Sequence, residues 1–273
     1  MPRGSGVSVR ALSDMAVKPV DPRWSDLRTR TASALVLAPL AVFCVWWGGL
    51  AWAGLLLVAM SGLGWEWGRL AKVRPYALAG ALALVWAAEF SGGPVFGLAS
   101  VGILWVFVGV WLGRFAGYGV PYAGIGGIAL LWLRQHSSGL ADTIFLIIVV
   151  WGTDVGAYLA GRLIGGKKLA PKISPGKTWS GSIGGLLAAA VIGMLLTGGL
   201  SVAAFAAGLL LSLCAQAGDL LESAIKRRLG VKDSGRTIPG HGGLFDRLDG
   251  FLAAAPVAAL LALCVDGGVP LWR

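Results

Sequence analysis

The sequence predicts an all-α polytopic membrane protein of about nine transmembrane helices, with a cytoplasmic N-terminus and its chemistry in the C-terminal half. Three observations predict this. Of 273 residues, 56% are hydrophobic and 13% charged, whereas a soluble domain carries about 25% charged residues. Thirteen tryptophans and 43 glycines add types enriched at membrane interfaces and in membrane helices. The basic residues also fall in blocks between apolar runs, as in a chain whose loops obey the positive-inside rule. Together these features exclude an ordinary soluble globule, a disordered chain and a collagen-like fibre. Cys44, Cys214 and Cys264 are odd in number and lie in apolar runs, so they read as small core hydrophobes and not as a disulfide framework. The net charge of +10 does not imply a nucleic-acid partner, because so apolar a chain has little soluble surface for a basic face.

Taken in order, residues 1–32 form a polar, Pro-containing, basic arm with no signal-peptide core, expected to be cytoplasmic. Apolar runs follow at 33–48, 51–68, 76–91, 95–112, 119–133, 140–161, 179–197, 201–222 and 250–265. Several fall short of the roughly 20 residues of a straight span, and 119–133 is the weakest. Two runs separate the arm from Arg69, Lys72 and Arg74; four more lead to Arg162–Lys177, and two more to Lys226–Arg247. Every heavily basic block then falls on one face, and the ninth run carries Asp266–Arg273 to the other. Without 119–133 the two halves would disagree. Residues 33–139 form the N-terminal transmembrane helices, nearly free of charge outside their turns. Residues 140–273 form the C-terminal transmembrane catalytic region, with acids inside apolar runs and two polar loops.

An ionisable residue inside a span costs about 2.5–3.5 kcal/mol on insertion scales and is a functional candidate by default. Asp154 lies within one run, and Asp219 and Glu222 end another. Three apart on a helix is one face, so the latter two could address one cation; alternatively Glu222 marks the interface and reaches toward water. Glu66 and Glu89 lie near run ends without a partner cluster in sequence, and read as interface residues.

The loop from Ser223 to Asp249 is the most informative stretch. Lys226, Arg227, Lys232 and Arg236 can neutralise phosphate oxygens, and Gly240, Gly242 and Gly243 let backbone N–H groups approach an anion. Asp246 and Asp249, entering the next run, are hard oxygen donors of the kind Mg²⁺ takes. Cations beside paired carboxylates are the ingredients of metal-assisted phosphoryl or nucleotidyl transfer. A basic loop docked on anionic lipid would account for the Lys and Arg, but not for the Gly-His-Gly-Gly turn. The earlier loop offers the Ser174 and Thr178 hydroxyls and the Lys177 charge near the start of a helix. Gly161-x-x-x-x-Gly166-Lys167 imitates a P-loop, but Lys168 replaces the Mg²⁺-binding hydroxyl and no strand precedes it.

Ser223-x-x-Lys226-Arg227-x(4)-Lys232-Asp233, followed by Pro239-x-His241-Gly242-Gly243-x-x-Asp246-Arg247-x-Asp249, resembles the signature of the phosphatidate cytidylyltransferases (CDP-diacylglycerol synthases). Gln216-x-Gly218-Asp219-Leu220-x-Glu222-Ser223, Ser174-Pro175-x-Lys177-Thr178-x-x-Gly181 and Asp154-x-x-Ala157-Tyr158 resemble that family too. The resemblance covers Trp151 to Asp249 closely. It implies an Mg²⁺-dependent reaction of CTP with phosphatidic acid at the cytoplasmic face of a bacterial-type inner membrane, with a second cation and a homodimer both allowed. It implies catalytic roles for Asp219, Lys226, Asp246 and Asp249, with Asp219, Asp246, Asp249 and Glu222 toward the metal. Substrate binding would fall to Asp154, Ser174, Lys177, Thr178, Ser223, Arg227, Lys232, Arg236, His241, Gly242, Gly243 and Arg247; His241 would bond a phosphate or brace the Gly-rich turn.

Three rival readings remain. A CTP-dependent enzyme for another lipid phosphate, such as an archaeal ether lipid, would share the loops. A transporter of anionic solutes should show repeat symmetry between its halves, and none is visible. A lipid-binding scaffold would need only the basic faces.

Overall fold

The computed structural model describes residues 22–265 together with 270 and 272. Among them are nine α-helices and one β-hairpin: α1 (Pro22–Trp47), α2 (Gly49–Leu70), α3 (Pro75–Gly92), α4 (Pro94–Leu112), α5 (Arg114–Gln135), α6 (Gly139–Leu163), β1 (Lys168–Ala170), β2 (Ser174–Thr178), α7 (Trp179–Leu196), α8 (Val202–Arg228) and α9 (Phe245–Cys264). Eight of these helices are long and apolar enough to cross a membrane; the exception is α3, an 18-residue helix carrying Glu89. The protein is an all-α polytopic membrane protein. Each expected run has its helix, although α8 continues from Glu222 to Arg228 and α9 begins before Gly250. Residues 1–21 of the expected arm, and most of the expected tail 266–273, lie outside the described residues. Helix α1 passes through residue 33 without a break.

Several runs look short because the turns between helices are minimal. Gly93 (φ +80°) alone separates α3 from α4, and Gly113 (φ +101°) alone separates α4 from α5. Only glycine takes such left-handed values without strain, and Pro94 at the first position of α4 suits a helix start.

Buried indole N–H groups must find acceptors, and theirs fix the antiparallel order. Trp52 donates to the Leu130 carbonyl at 3.0 Å, Trp67 to that of Phe115 at 3.1 Å and Trp86 to that of Ala53 at 2.9 Å. The end of α2 thus meets the start of α5, and the start of α2 meets the ends of α3 and α5. The least promising run in the sequence becomes α5, the most buried of the eight span-length helices. Its Gly, Tyr and Pro residues lower its apparent hydropathy because it faces other helices and not lipid. Helices α2, α5 and α9 contribute to both apolar cores, one around Met60, Leu82, Val120 and Phe245, the other around Leu131, Leu146, Leu211 and Ala255.

In lipid, helices associate through close packing of small residues. A Cβ on Gly181 would lie 2.8 Å from the Ala157 carbonyl oxygen, and one on Gly185 would lie 2.9 Å from that of Thr153, so α6 and α7 are in backbone contact. On α8, a Cβ on Gly218 would lie 2.6 Å from the Asp249 carbonyl oxygen of α9. These crossings bring the end of α6, the hairpin, the end of α8 and the start of α9 to one end of the bundle. The Arg69–Arg74 turn and Arg114 emerge at the same end, so the basic blocks after the N-terminal arm share a face.

Candidate active site

The hairpin is the first element of the site. Strands β1 and β2 pair antiparallel, with Lys168 opposite Thr178 and Ala170 opposite Ser174. The Thr178 hydroxyl then caps α7 by accepting the Gly181 N–H at 3.0 Å. An N-cap of this kind contributes about 1 kcal/mol and fixes where Lys177 points. Lys177 forms an ion pair with Asp219 of α8, and Arg227 donates to the Ile173 carbonyl at 3.2 Å. The imitation P-loop is a helix end followed by a strand, the reverse of the order that cradles phosphate.

The segment between α8 and α9 is folded around two carboxylates. Asp246, in the first turn of α9, accepts Lys226 Nζ at 2.6 Å, the Gly243 N–H at 2.9 Å and the Ser234 N–H at 3.1 Å, with the Ser234 hydroxyl oxygen also 3.1 Å away. Lys226 also contacts Glu222 at 2.5 Å, so one lysine joins two buried acids. The second carboxylate is Glu66 of α2, only 1% exposed. It accepts the Thr237 hydroxyl, the Ser234 hydroxyl at 3.1 Å, and the Leu244 and Phe245 N–H groups at 2.7 and 3.0 Å. The last two belong to the start of α9, whose own cap residue offers no side-chain acceptor. Glu66 is therefore no interface residue: its partners lie about 170 positions away in sequence and become a cluster only in the folded chain. Helix α1 adds Ser33, which donates to the Pro239 carbonyl at 2.6 Å.

Two adjoining cavities open at this end. One, of about 350 Å³, is lined by Asp154, Asp219 and Asp249 together with Lys226, Asp246 and Arg247. The other, of about 470 Å³, lies between α6, α7 and the hairpin, and Tyr158, Ala157, Leu169, Arg162, Lys177 and Gln216 line it. Asp154 and Asp219 belong to both.

The expected site residues thus separate by position. Asp154, Asp219, Asp249, Lys226, Asp246 and Arg247 converge on the polar cavity, and Lys177 and Thr178 line the other. Asp219 and Glu222 share one helix but face different lysines. Ser223 donates to Asp219 at 3.3 Å. Ser174, Arg227, Lys232, Arg236, His241, Gly242 and Gly243 line neither cavity. His241 takes part in bracing: its carbonyl accepts two bonds from Arg247, at 2.7 and 3.0 Å. Gly242 (φ +86°) makes the turn, and Gly243 supplies its N–H to Asp246.

Residues 28–265 match the model of the cytidylyltransferase family. The chain belongs to the cytidylyltransferase family. It is similar to the phosphatidate cytidylyltransferase of Brucella melitensis, at 38% identity over 90% of this chain and 97% of the relative. The phosphatidate cytidylyltransferase of Pseudomonas aeruginosa is 37% identical over 89% of this chain and all of the relative. That of Haemophilus influenzae is 45% identical over a shorter stretch, 43% of this chain and 44% of the relative. Family membership makes the protein a nucleotidyl-transferring enzyme.

Proposed function

We propose that this protein transfers the cytidylyl group of CTP to phosphatidic acid in an Mg²⁺-dependent reaction, giving CDP-diacylglycerol and pyrophosphate, at the cytoplasmic face of the membrane. The observation that carries this reading is the convergence of Asp154, Asp219 and Asp249, from three helices, on a polar cavity that adjoins a more apolar one. The family match and the names of the relatives support it independently.

Among the described residues, no three acids form a ready-made metal cage. Mg²⁺ does not need one, since it binds through one or two carboxylates plus waters and phosphate oxygens. Asp219 and Asp249 fit that donor set and would hold the ion, with Asp154 beside them. Asp246 and Glu222, also expected toward the metal, both contact Lys226. The bound cation would neutralise charge on the triphosphate.

The chain's own residues supply position and countercharge. Lys177 and Arg247, each lining a cavity, are placed to meet phosphate oxygens. Tyr158, Ala157 and Leu169 offer the second cavity's carbon surface to the glycerol and acyl chains, with Arg162 near the lipid phosphate. An oxygen of that phosphate bonds to the α-phosphorus of CTP; the bond to the bridging oxygen breaks, and pyrophosphate leaves with its electron pair. The lipid phosphate is already ionised near neutral pH, so no protein base is required.

The test is pyrophosphate release by purified protein with each of the four nucleoside triphosphates, with and without phosphatidic acid and Mg²⁺. Release should require CTP, lipid and metal together. Release that ignores the lipid, or that shows no preference for CTP, would refute the reading.

A further inference from the structure

We propose that Glu66 is a positioning residue for the nucleotide half of the site: through the Ser234–Phe245 segment it sets the geometry in which the α9 acids meet CTP. The proposal rests on the cytidylyl-transfer reading for its kinetic consequence, but its structural part stands alone.

The geometry is specific. Glu66 lies one residue from Trp67, whose indole N–H anchors the end of α2 to the Phe115 carbonyl, so the carboxylate cannot drift with a mobile loop. Its two oxygens divide the work. Oε1 takes the Thr237 hydroxyl and the Leu244 N–H, and Oε2 takes the Ser234 hydroxyl and the Phe245 N–H. One carboxylate thereby closes both ends of a segment whose middle is the Gly240–Gly243 turn. The Ser234 hydroxyl also lies within hydrogen-bond distance of Asp246, so Glu66 and Asp246 share this side chain. Capping Leu244 and Phe245 holds the first turn of α9, and that turn aims Asp246 and Asp249.

The packing leaves no slack. A Cβ on Gly235 would lie 2.8 Å from Glu66 Oε1, and one on Gly243 would lie 2.7 Å from the Gly235 nitrogen. A carboxylate suits this position because each of its oxygens accepts a backbone N–H, and an amide in either orientation would turn its NH₂ toward one of those donors. Glu89, a buried glutamate on α3, has one oxygen without a hydrogen-bond partner and lines neither cavity, which makes it the control.

The experiment compares wild type, Glu66→Gln, Glu66→Asp and Glu89→Gln in detergent with phosphatidic acid. Two readouts are taken: steady-state kinetics, and the rate of trypsin cleavage at two exposed positions, Lys232 just before the segment and Arg236 on it. Glu66→Gln should lower kcat/KM for CTP at least 30-fold while KM for phosphatidic acid stays within twofold. Its cleavage should accelerate at least tenfold, with Glu66→Asp restoring part of both effects and Glu89→Gln changing neither. Equal losses for both substrates, with Glu89→Gln behaving alike, would mean a general folding role and overturn the proposal. So would kcat/KM for CTP and cleavage rates within twofold of wild type. If the wild type itself transfers no cytidylyl group, the functional reading fails, and the cleavage rates still decide whether Glu66 holds the segment.

Discussion

Asp219 and Asp246 carry equal weight as acids of the family-like motif, but their surroundings give them different work. The Asp219 side chain is 37% exposed and paired with Lys177, whereas Asp246 is 11% exposed and has both oxygens engaged. An exposed ion pair contributes little to stability, while each hydrogen bond to a buried charge contributes about 1.5–3 kcal/mol. Asp219→Asn should therefore lower turnover about 100-fold or more, the usual scale for losing electrostatic stabilisation at a reacting centre, with an unchanged melting temperature in detergent. Asp246→Asn should lower turnover and melting temperature together. Matched thermal melts and CTP turnover check both. A strongly destabilised Asp219→Asn would show that residue to be structural.

Among the elements, the crossing of α8 and α9 sets the distance between Asp219 and Asp249. Gly218 makes that crossing possible, since any side chain there meets Ala253 and the Asp249 backbone. Overpacking typically costs about 1–3 kcal/mol, so Gly218→Leu should lower the melting temperature and abolish activity, with more loss of activity than the stability change explains. Measuring specific activity in the folded fraction separates the two. The elements themselves were largely legible in sequence, because long apolar runs between basic loops have few alternatives in a bilayer. Two things were not legible. The end of α8, from Ser223 to Arg228, reads as loop by hydropathy, yet it remains helical, with Lys226 paired to Glu222 one turn back and lining a polar cavity. Glu66 also gave no local signal, because its four donors come from a segment that approaches only when α2 and α9 pack.

For the whole molecule, alternating helices bring the strongly basic segments among the described loops to the end that carries the cavities, leaving the Thr197–Ser201 turn at the other. In a cysteine-free background, an impermeant thiol reagent applied to intact cells should label Leu200→Cys and not Lys172→Cys, both positions being exposed. Labelling of Lys172→Cys without that of Leu200→Cys would invert the orientation. Which motif residues share a cavity also emerges only at this scale, since Asp154, Asp219 and Asp249 come from three helices. The central claim is that this cavity joins the nucleotide to the lipid, and one measurement tests it most directly. Purified protein is given CTP labelled at the α-phosphate, phosphatidic acid and Mg²⁺, and the organic phase is counted. The account predicts label in the lipid, in equal molar amount to the pyrophosphate released, with wild type and at least 100-fold less with Asp249→Asn. Label that never enters the lipid, or that enters it equally with Asp249→Asn, would contradict it.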